Sequence, residues 1–362
     1  MQIHNKIDNE DEKFSDYTRN VYLDVVKAVA IIFVLVGHSI QFGTGTTFEG
    51  LTIFEYWAFK YIYSFHMPLF MIVSGFLFKY SSDKYVWHDV IRRKIAQLLI
   101  PIICWSLIPF IADVFIFKTV HMDMTIIGII KRYASITIRN LWFLWAIFLC
   151  SIATELIKQY LKNNVFFHIL LLIAFFFVPD SYNLHLYKFM YPFFIVGYYY
   201  NGNFIYKKLL GFSKKVLCTM VMAVAIIYVF GMSFYNTESY IYISGYTLLG
   251  KDYCDQILID VYRFLIGLLG SVVVMGIIWC CYQFILPKLT GWMSYIGKNT
   301  LGIYIVSGYI YNYILPSLTQ DIESLNWGLI LVECAVILAV SILIDYVIKR
   351  FKVLSTMLLG VK

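Results

Sequence analysis

Charged residues are scarce in this sequence. Of its 362 residues, 14% are charged and 60% are hydrophobic, whereas soluble domains carry roughly 25% charged and 45–50% apolar residues. The mean hydropathy is +0.73. An ordinary soluble globular chain is therefore excluded. The net charge of +7 does not indicate a nucleic-acid partner either, because the basic residues lie in short loops beside apolar segments, as in membrane proteins.

Three further features that the sequence lacks restrict the class of protein. The seven cysteines show neither metal-ligand spacing nor a disulfide framework, so we interpret them as small buried apolar residues and expect no metal. No internal repeat, low-complexity run or inter-domain linker is present. The first apolar run is too long for a cleavable signal peptide and lacks a small-residue cleavage pattern after it, so we expect a retained anchor.

The sequence is rich in aromatic residues and in long apolar segments. Thirty Phe, thirty Tyr and eight Trp are typical of a membrane protein with aromatic belts at its interfaces. Ten apolar segments predict membrane-spanning helices, although the fifth and sixth are shorter than the ~20 residues that a span needs. The segments are 21–42, 60–80, 95–117, 140–158, 164–179, 187–201, 216–235, 258–282, 296–314 and 327–348.

The distribution of basic residues predicts the orientation of these segments. With a cytoplasmic N-terminus, about three times as many Lys and Arg fall on the inner side as on the outer side, as the positive-inside rule requires. We therefore expect an all-α, multi-pass bundle of about ten transmembrane helices in the plasma membrane, with both termini cytoplasmic. Its parts are a polar tail (1–20), a membrane domain (21–350) and a short basic tail (351–362).

One outer segment has two interpretations. Residues 118–139 form the longest basic stretch on the outer side. They predict an amphipathic helix at the membrane interface, the interpretation that we favour. The alternative is that the third and fourth segments are drawn wrongly.

The first segment aligns three ionisable residues. Lys27 and His38 have ten residues between them, so on a helix they share nearly one face about 16 Å apart, with Asp24 within about 40° of His38. Ionisable groups at membrane depth usually face a bundle interior or a wet cavity. The alternative is that Asp24 and Lys27 pair locally at the lipid headgroups and that His38 bonds a carbonyl.

The second segment contains a histidine and helix-perturbing residues. Pro68 is predicted to interrupt the helix, and Gly75 permits a close helix approach. Antiparallel pairing of the first two segments would let His38 and His66 share one cavity. The alternatives are a backbone hydrogen bond for His66 and, for Ser74, a hydrogen bond within its own helix.

Two sets of cations complete the candidates. Arg92, Arg93 and Lys94 lie at a predicted cytoplasmic membrane end, where they could hold phosphates or serve only as positive-inside anchors. Arg263 lies inside the eighth segment and needs a partner. That partner is Asp260, three residues earlier, or a substrate at the outer face.

Five motifs, in this order, carry a resemblance to a known family. They are YLDVVKAVAIIFVLVGHS, FHMPLFMIVSGF, RRKIAQLLIPIICW, NLWFLWAIF and IGKNTLGIYIV, between residue 19 and about residue 306. The sequence resembles the membrane acyltransferase 3 family, and within it the fucose 4-O-acetylase-like branch. The resemblance implies transfer of an acyl group, usually acetyl, from cytoplasmic acyl-CoA to a glycan hydroxyl, by a bundle of about ten helices.

The family pattern maps onto particular residues. Its basic residue and histidine match Lys27 and His38, its serine-glycine-aromatic motif matches Ser74–Phe76, and its histidine before Met-Pro-Leu matches His66. One departure is that the ninth segment reads Ile305–Ser307 where the family often has a histidine.

The resemblance also implies roles for these residues. A hydroxyl that attacks a thioester needs a base, and imidazole suits this task near neutral pH. His38 would act directly or with a transient acyl carrier. The expected roles are catalysis by His38 and His66, contact with the acetyl-CoA phosphates by Lys27, Arg92 and Arg93, and support by Asp24, Ser74, Gly75 and Arg263.

Two other function classes fit the same composition. One is a transporter or flippase of a lipid-linked sugar, which would more often show repeated pairs of broken helices; Pro68 has no counterpart in a second half. The other is a non-catalytic partner in polysaccharide assembly, whose function would survive replacement of His38. Expected partners are a glycan or lipid-linked sugar, the lipid bilayer and other polysaccharide-assembly proteins, but no nucleic acid.

Overall fold

The computed structural model describes residues 21–43, 52–115, 125–200, 213–282, 287–319 and 326–361. Within these ranges every regular element is helical, so the described chain is all-α, as predicted. The predicted N-terminal tail lies outside the described residues. The helices are α1 (Val21–Phe42), α2 (Trp57–Lys84), α3 (Trp87–Phe115), α4 (Ile126–Arg139), α5 (Trp142–Tyr160), α6 (Val165–Phe175), α7 (Leu184–Tyr200), α8 (Lys214–Met232), α9 (Tyr253–Tyr282), α10 (Pro287–Lys298), α11 (Thr300–Tyr309, continued through Ile310–Ile314 and Leu315–Thr319), α12 (Trp327–Arg350) and α13 (Lys352–Leu359).

Seven of these helices are long and apolar enough to cross a membrane: α1, α2, α3, α5, α8, α9 and α12. They correspond to seven of the ten predicted segments. The other three predicted segments form α6, α7 and α11, which are not among the helices long and apolar enough to cross a membrane. Helix α6 has 11 residues and α7 has 17. The chain is therefore a membrane protein of several spans, and the count of ten and the side of each terminus stay predictions.

Helix α1 lies at the centre of the bundle, where it contacts α2, α9, α10, α11 and α12. Its apolar residues are buried on most of its circumference, as expected for a helix enclosed by other helices. The first turn of α1 lies very close to α10, because a Cβ on Gly297 of α10 would collide with the carbonyl oxygen of Asp24. This contact fixes the beginning of α1 against α10.

The most extensive helix pair is α2 with α7. A Cβ on Gly75 would collide with the carbonyl oxygen of Phe194, and a Cβ on Gly197 would collide with that of Ile72. The two glycines therefore let each backbone touch the other, which is the close approach that small residues permit in membrane helices.

Helix α2 continues through Pro68, so the predicted interruption is wrong. Proline removes one backbone donor, and neighbouring helices keep such a helix intact. Here the ring fits against α9, where a Cβ on Gly267 would lie 3.0 Å from the Pro68 Cγ atom.

Helices α3 and α11 each contain one π turn, at Ile95–Leu99 and at Ile310–Ile314. The segment treated above as a short basic tail contains α13, which packs on α3. There the Trp105 indole nitrogen donates a hydrogen bond of 2.8 Å to the carbonyl oxygen of Leu358.

Candidate active site

A cavity of about 690 Å³ lies at the end of the bundle where α1 ends. We call it the histidine cavity because His38 of α1 and His66 of α2 both line it. Its remaining wall comes from the 3₁₀ helix Thr52–Glu55, the ends of α3 and α4, the start of α5, α11 and Tyr242. The structure thus brings the two predicted histidines to one site, while their catalytic role stays a prediction.

His66 is held by a backbone hydrogen bond. Its Nδ1 atom lies 2.7 Å from the carbonyl oxygen of Ile62. Because a carbonyl oxygen only accepts, Nδ1 carries the proton and Nε2 of the neutral ring keeps its lone pair. The Tyr63 ring packs edge-on against this imidazole at 4.8 Å. His66 is therefore a fixed, buried ring with one nitrogen able to accept a proton.

His38 lies between two aromatic rings. Its centroid is 5.8 Å from that of Phe42 and 5.4 Å from that of Tyr311. The Tyr311 hydroxyl donates to the carbonyl oxygen of Leu35 at 2.9 Å and accepts from Ser39 at 2.8 Å. Nδ1 of His38 is buried and makes no hydrogen bond to the described residues. The imidazole is thus positioned by ring packing and by the Gln41 side chain.

The opposite wall of the histidine cavity is polar. Asp113 of α3 accepts two hydrogen bonds from Arg132 of α4, at 2.6 and 3.0 Å. Asn140 donates to the Tyr309 hydroxyl at 2.6 Å, and that hydroxyl donates to the carbonyl oxygen of Trp105 at 2.7 Å. The Asp113–Arg132 pair joins α3 to α4. The hydrogen bonds of the Tyr309 hydroxyl join α11 to α3 and to the residue that follows α4.

The sequence analysis did not select these wall residues. The signal that could have found them is the spacing of Arg132, Ser135, Ile136 and Arg139, since positions i, i+3, i+4 and i+7 share one helix face. All four line the histidine cavity. The predicted amphipathic helix is present as α4, and residues 118–124 of that stretch lie outside the described residues.

A second cavity, of about 530 Å³, lies at the start of α3. We call it the arginine cavity because Arg92 and Arg93 line it. Gln97 of this cavity and Pro109 of the histidine cavity are about 18 Å apart along α3. The full lining is Asp89, Arg92, Arg93, Ala96, Gln97, Thr356, Gly360 and Val361.

The arginines of this second cavity differ in their surroundings. The side chain of Arg92 is 84% exposed. The Arg93 guanidinium lies 3.8 Å from the centroid of the Tyr85 ring. Arg92 is therefore largely in solvent, 4.0 Å from a carboxylate oxygen of Asp89, and Arg93 is stacked on an aromatic face.

Asp24 and Lys27 form a local pair. Lys27 Nζ lies 2.9 Å from an Asp24 oxygen, and Ser294 of α10 donates to Asp24 at 3.4 Å. Lys27 lines neither cavity. The structure thus leaves Lys27 at the opposite end of α1 from His38, and its expected contact with the donor stays a prediction. Ser74 is half-buried and lines neither cavity.

Arg263 is buried in a network that anchors the segment between α8 and α9. It forms an ion pair with Asp260, the partner predicted above. It also donates to Ser244 Oγ at 2.9 Å and to the carbonyl oxygen of Gly245. Because the same segment carries Tyr242 to the histidine cavity, Arg263 supports that cavity without lining it.

Asp180 fixes the same segment from the other side. Its carboxylate accepts from the backbone amides of Tyr246 and Thr247 at 2.7 and 2.9 Å and pairs with Lys188 at 2.5 Å. Burial alone would raise the pKa of Asp180, but these bonds outweigh it, so the pKa lies below its ordinary value.

The described residues thus form a bundle of apolar helices long enough to cross a membrane, with the histidine cavity and the arginine cavity at opposite ends. A family model described as an acyltransferase domain matches residues 20–346. The chain belongs to the acyltransferase 3 family, and it is an acyltransferase.

Two curated relatives are similar to this chain. The nodulation protein NolL of Mesorhizobium japonicum (strain LMG 29417 / CECT 9101 / MAFF 303099) is 24% identical over 297 residues, which cover 81% of this chain and 77% of the relative. The nodulation protein NolL of Sinorhizobium fredii (strain NBRC 101917 / NGR234) is 28% identical over 181 residues, which cover 50% of this chain and 48% of the relative. No solved structure gives a significant match to the chain.

Proposed function

We propose that this acyltransferase moves an acyl group, most simply acetyl, from acyl-CoA to a hydroxyl of a cell-surface or exported glycan. The observation that carries the proposal is the pair of histidines, His38 and His66, in the wall of one cavity. The membrane is the plasma membrane, and other polysaccharide-assembly proteins supply the acceptor.

The donor end is the arginine cavity. Arg92 and Arg93 suit the phosphates of acetyl-CoA, because guanidinium groups bind phosphate oxygens in a bidentate manner. This cavity is bordered by the π turn of α3, and such turns often occur at functional sites.

A small apolar cluster lies between the two cavities. It joins Leu98, which follows Gln97 of the arginine cavity, to Leu141 and Tyr309 of the histidine cavity. Trp105 stacks on Tyr309 within it, with centroids 5.4 Å apart. We place the pantetheine arm of the donor along this apolar cluster, between α3 and α11, so that its thioester reaches the histidines.

The chemical step is direct acyl transfer. A ring nitrogen of His38 accepts the proton of the glycan hydroxyl, and the hydroxyl oxygen attacks the thioester carbonyl carbon. The C–S bond then breaks, the CoA thiolate leaves, and the imidazolium returns the proton to the sulfur. His66, whose Nε2 carries a lone pair, accepts a hydrogen bond from a second hydroxyl of the acceptor sugar and so orients that sugar.

The test is transfer of labelled acetyl from acetyl-CoA into surface glycan, in membranes with equal amounts of each variant. Wild type labels the glycan, and we expect His38→Ala to lower the rate by at least about 100-fold, the usual contribution of a positioned base. His88→Ala is the matched control, since His88 is exposed and lines neither cavity.

The other outcomes separate the alternatives. Equal labelling by wild type and His38→Ala would show that this histidine is not the base. No labelling by any variant would refute the donor or the acceptor, and would favour a transporter of a lipid-linked sugar.

A further inference from the structure

Helix α4 has two different faces. Arg132, Ser135, Ile136 and Arg139 line the histidine cavity. On the face of α4 that points away from the cavity, Ile126, Ile127 and Ile130 are 78%, 65% and 61% exposed. The helix therefore directs its two arginines into the cavity and these three isoleucines away from it.

The two cavity arginines differ in their charge balance. Both carboxylate oxygens of Asp113 are within hydrogen-bond distance of Arg132, so this charge is compensated. No described carboxylate lies within 4 Å of Arg139, whose described partner is the Tyr182 ring at 5.6 Å. The polar wall therefore carries one positive charge that the described residues leave uncompensated.

The backbone at Arg139 is fixed in place. Asn183 donates to the carbonyl oxygen of Arg139 at 3.2 Å, and Tyr187 donates to that of Ile138 at 3.3 Å. Two residues later Leu141 has a φ of 48°, a left-handed conformation that is costly for a bulky side chain. The cation thus extends from a constrained turn at the edge of the cavity.

We propose that Arg139 binds an anionic group on the acceptor sugar, a phosphate or a carboxylate, while the hydroxyl to be acylated lies at the histidines. This inference rests on the proposed function. A guanidinium whose fork is not engaged by a carboxylate suits either anion, whereas the fork of Arg132 is already occupied. A cavity of about 690 Å³ is within the range that holds small ligands.

The two anions come from different acceptors. A phosphate on the sugar corresponds to a lipid-linked precursor, acylated before it is polymerised. A carboxylate corresponds to a uronic acid in the glycan chain. Binding of glucose 1-phosphate, glucuronic acid and glucose to the purified full chain in detergent distinguishes these sources.

The variants are wild type, Arg139→Gln, Arg139→Lys and Lys131→Gln. Lys131 is the matched control, because it is exposed on the same helix and lines neither cavity. We expect wild type and Lys131→Gln to bind one anionic sugar about tenfold more tightly than glucose, which is about 1.4 kcal/mol. Arg139→Gln abolishes this preference, and Arg139→Lys retains part of it.

Two results would overturn the inference. One is that wild type binds glucose as tightly as both anionic sugars. The other is that Arg139→Gln weakens binding of all three sugars equally, which would indicate a structural role.

The transfer assay with labelled acetyl-CoA, run beside the binding assay, separates the two proposals. An anion preference that depends on Arg139, without acetyl transfer, refutes the proposed function and keeps the anion site. Acetyl transfer without the preference refutes the anion site alone.

Discussion

The two cavities lie at opposite ends of α3 and differ in what surrounds their candidate functional side chains. In the histidine cavity the imidazoles of His38 and His66 are packed against aromatic rings. In the arginine cavity Arg92 is largely exposed, and part of the wall is the backbone around Gly360, which lies against Gln97. The rings that we propose to move protons are thus packed against other rings, whereas one of the two cations that we propose to contact phosphate is largely exposed to solvent.

The substitution with the largest expected effect is Gly75→Ala, which would disrupt the helix packing and with it both cavities. Gly75→Ala places a methyl group against the carbonyl oxygen of Phe194, so α2 and α7 must separate. Overpacking of this kind costs about 3 kcal/mol or more where backbone cannot yield. We expect a large loss of folded protein, measured by thermal unfolding of the detergent-solubilised chain.

Gly291→Ala is the control for this substitution. Nothing lies within 4 Å of a Cβ at Gly291, so the melting temperature is expected to stay the same or rise, since alanine is a better helix former by about 1 kcal/mol. A Gly75→Ala protein as stable as wild type would show that α2 and α7 do not cross this closely.

A smaller effect is confined to the histidine cavity. His66→Ala removes a ring whose Nε2 can accept a proton, so we expect kcat to fall about 100-fold or more, with little change in the KM for acyl-CoA. Steady-state rates against acyl-CoA concentration measure both. A rise in this KM with kcat unchanged would place the donor site at His66. It would contradict the proposal that the donor binds at the arginine cavity and that the histidine cavity carries out the transfer.

The smallest effect concerns the arginine cavity. Arg93→Ala and Arg92→Ala each remove one charge-assisted contact, so we expect about a tenfold rise in the KM for acyl-CoA. The KM for the acceptor should not change. Lys298→Ala is the control, because Lys298 is exposed and lines neither cavity. The same tenfold rise in Lys298→Ala would mean that only overall charge matters.

Local features of the sequence predicted the helices and the ionisable residues on them. The apolar runs that became α1, α2 and α12 are long enough to be recognised alone, and the Arg263–Asp260 pair lies within one helical turn. The polar wall depends instead on distant residues, such as Asn140 and Tyr309, which meet only through tertiary packing. The prediction at Pro68 failed for the same reason, because the support from α9 is not visible in the local sequence.

The π turn of α11 has a consequence for insertions and deletions. A π turn holds one residue more than an α turn, so the helix on one side of it is rotated by about 100° relative to an unbroken α-helix. Tyr304, before the turn, and Asn312 and Tyr313, within it, all line the histidine cavity. Deleting one residue from Ile310–Ile314 would restore an ordinary α-helix and rotate these side chains out of alignment. The number of residues in this turn, as well as their identity, therefore determines the shape of the cavity.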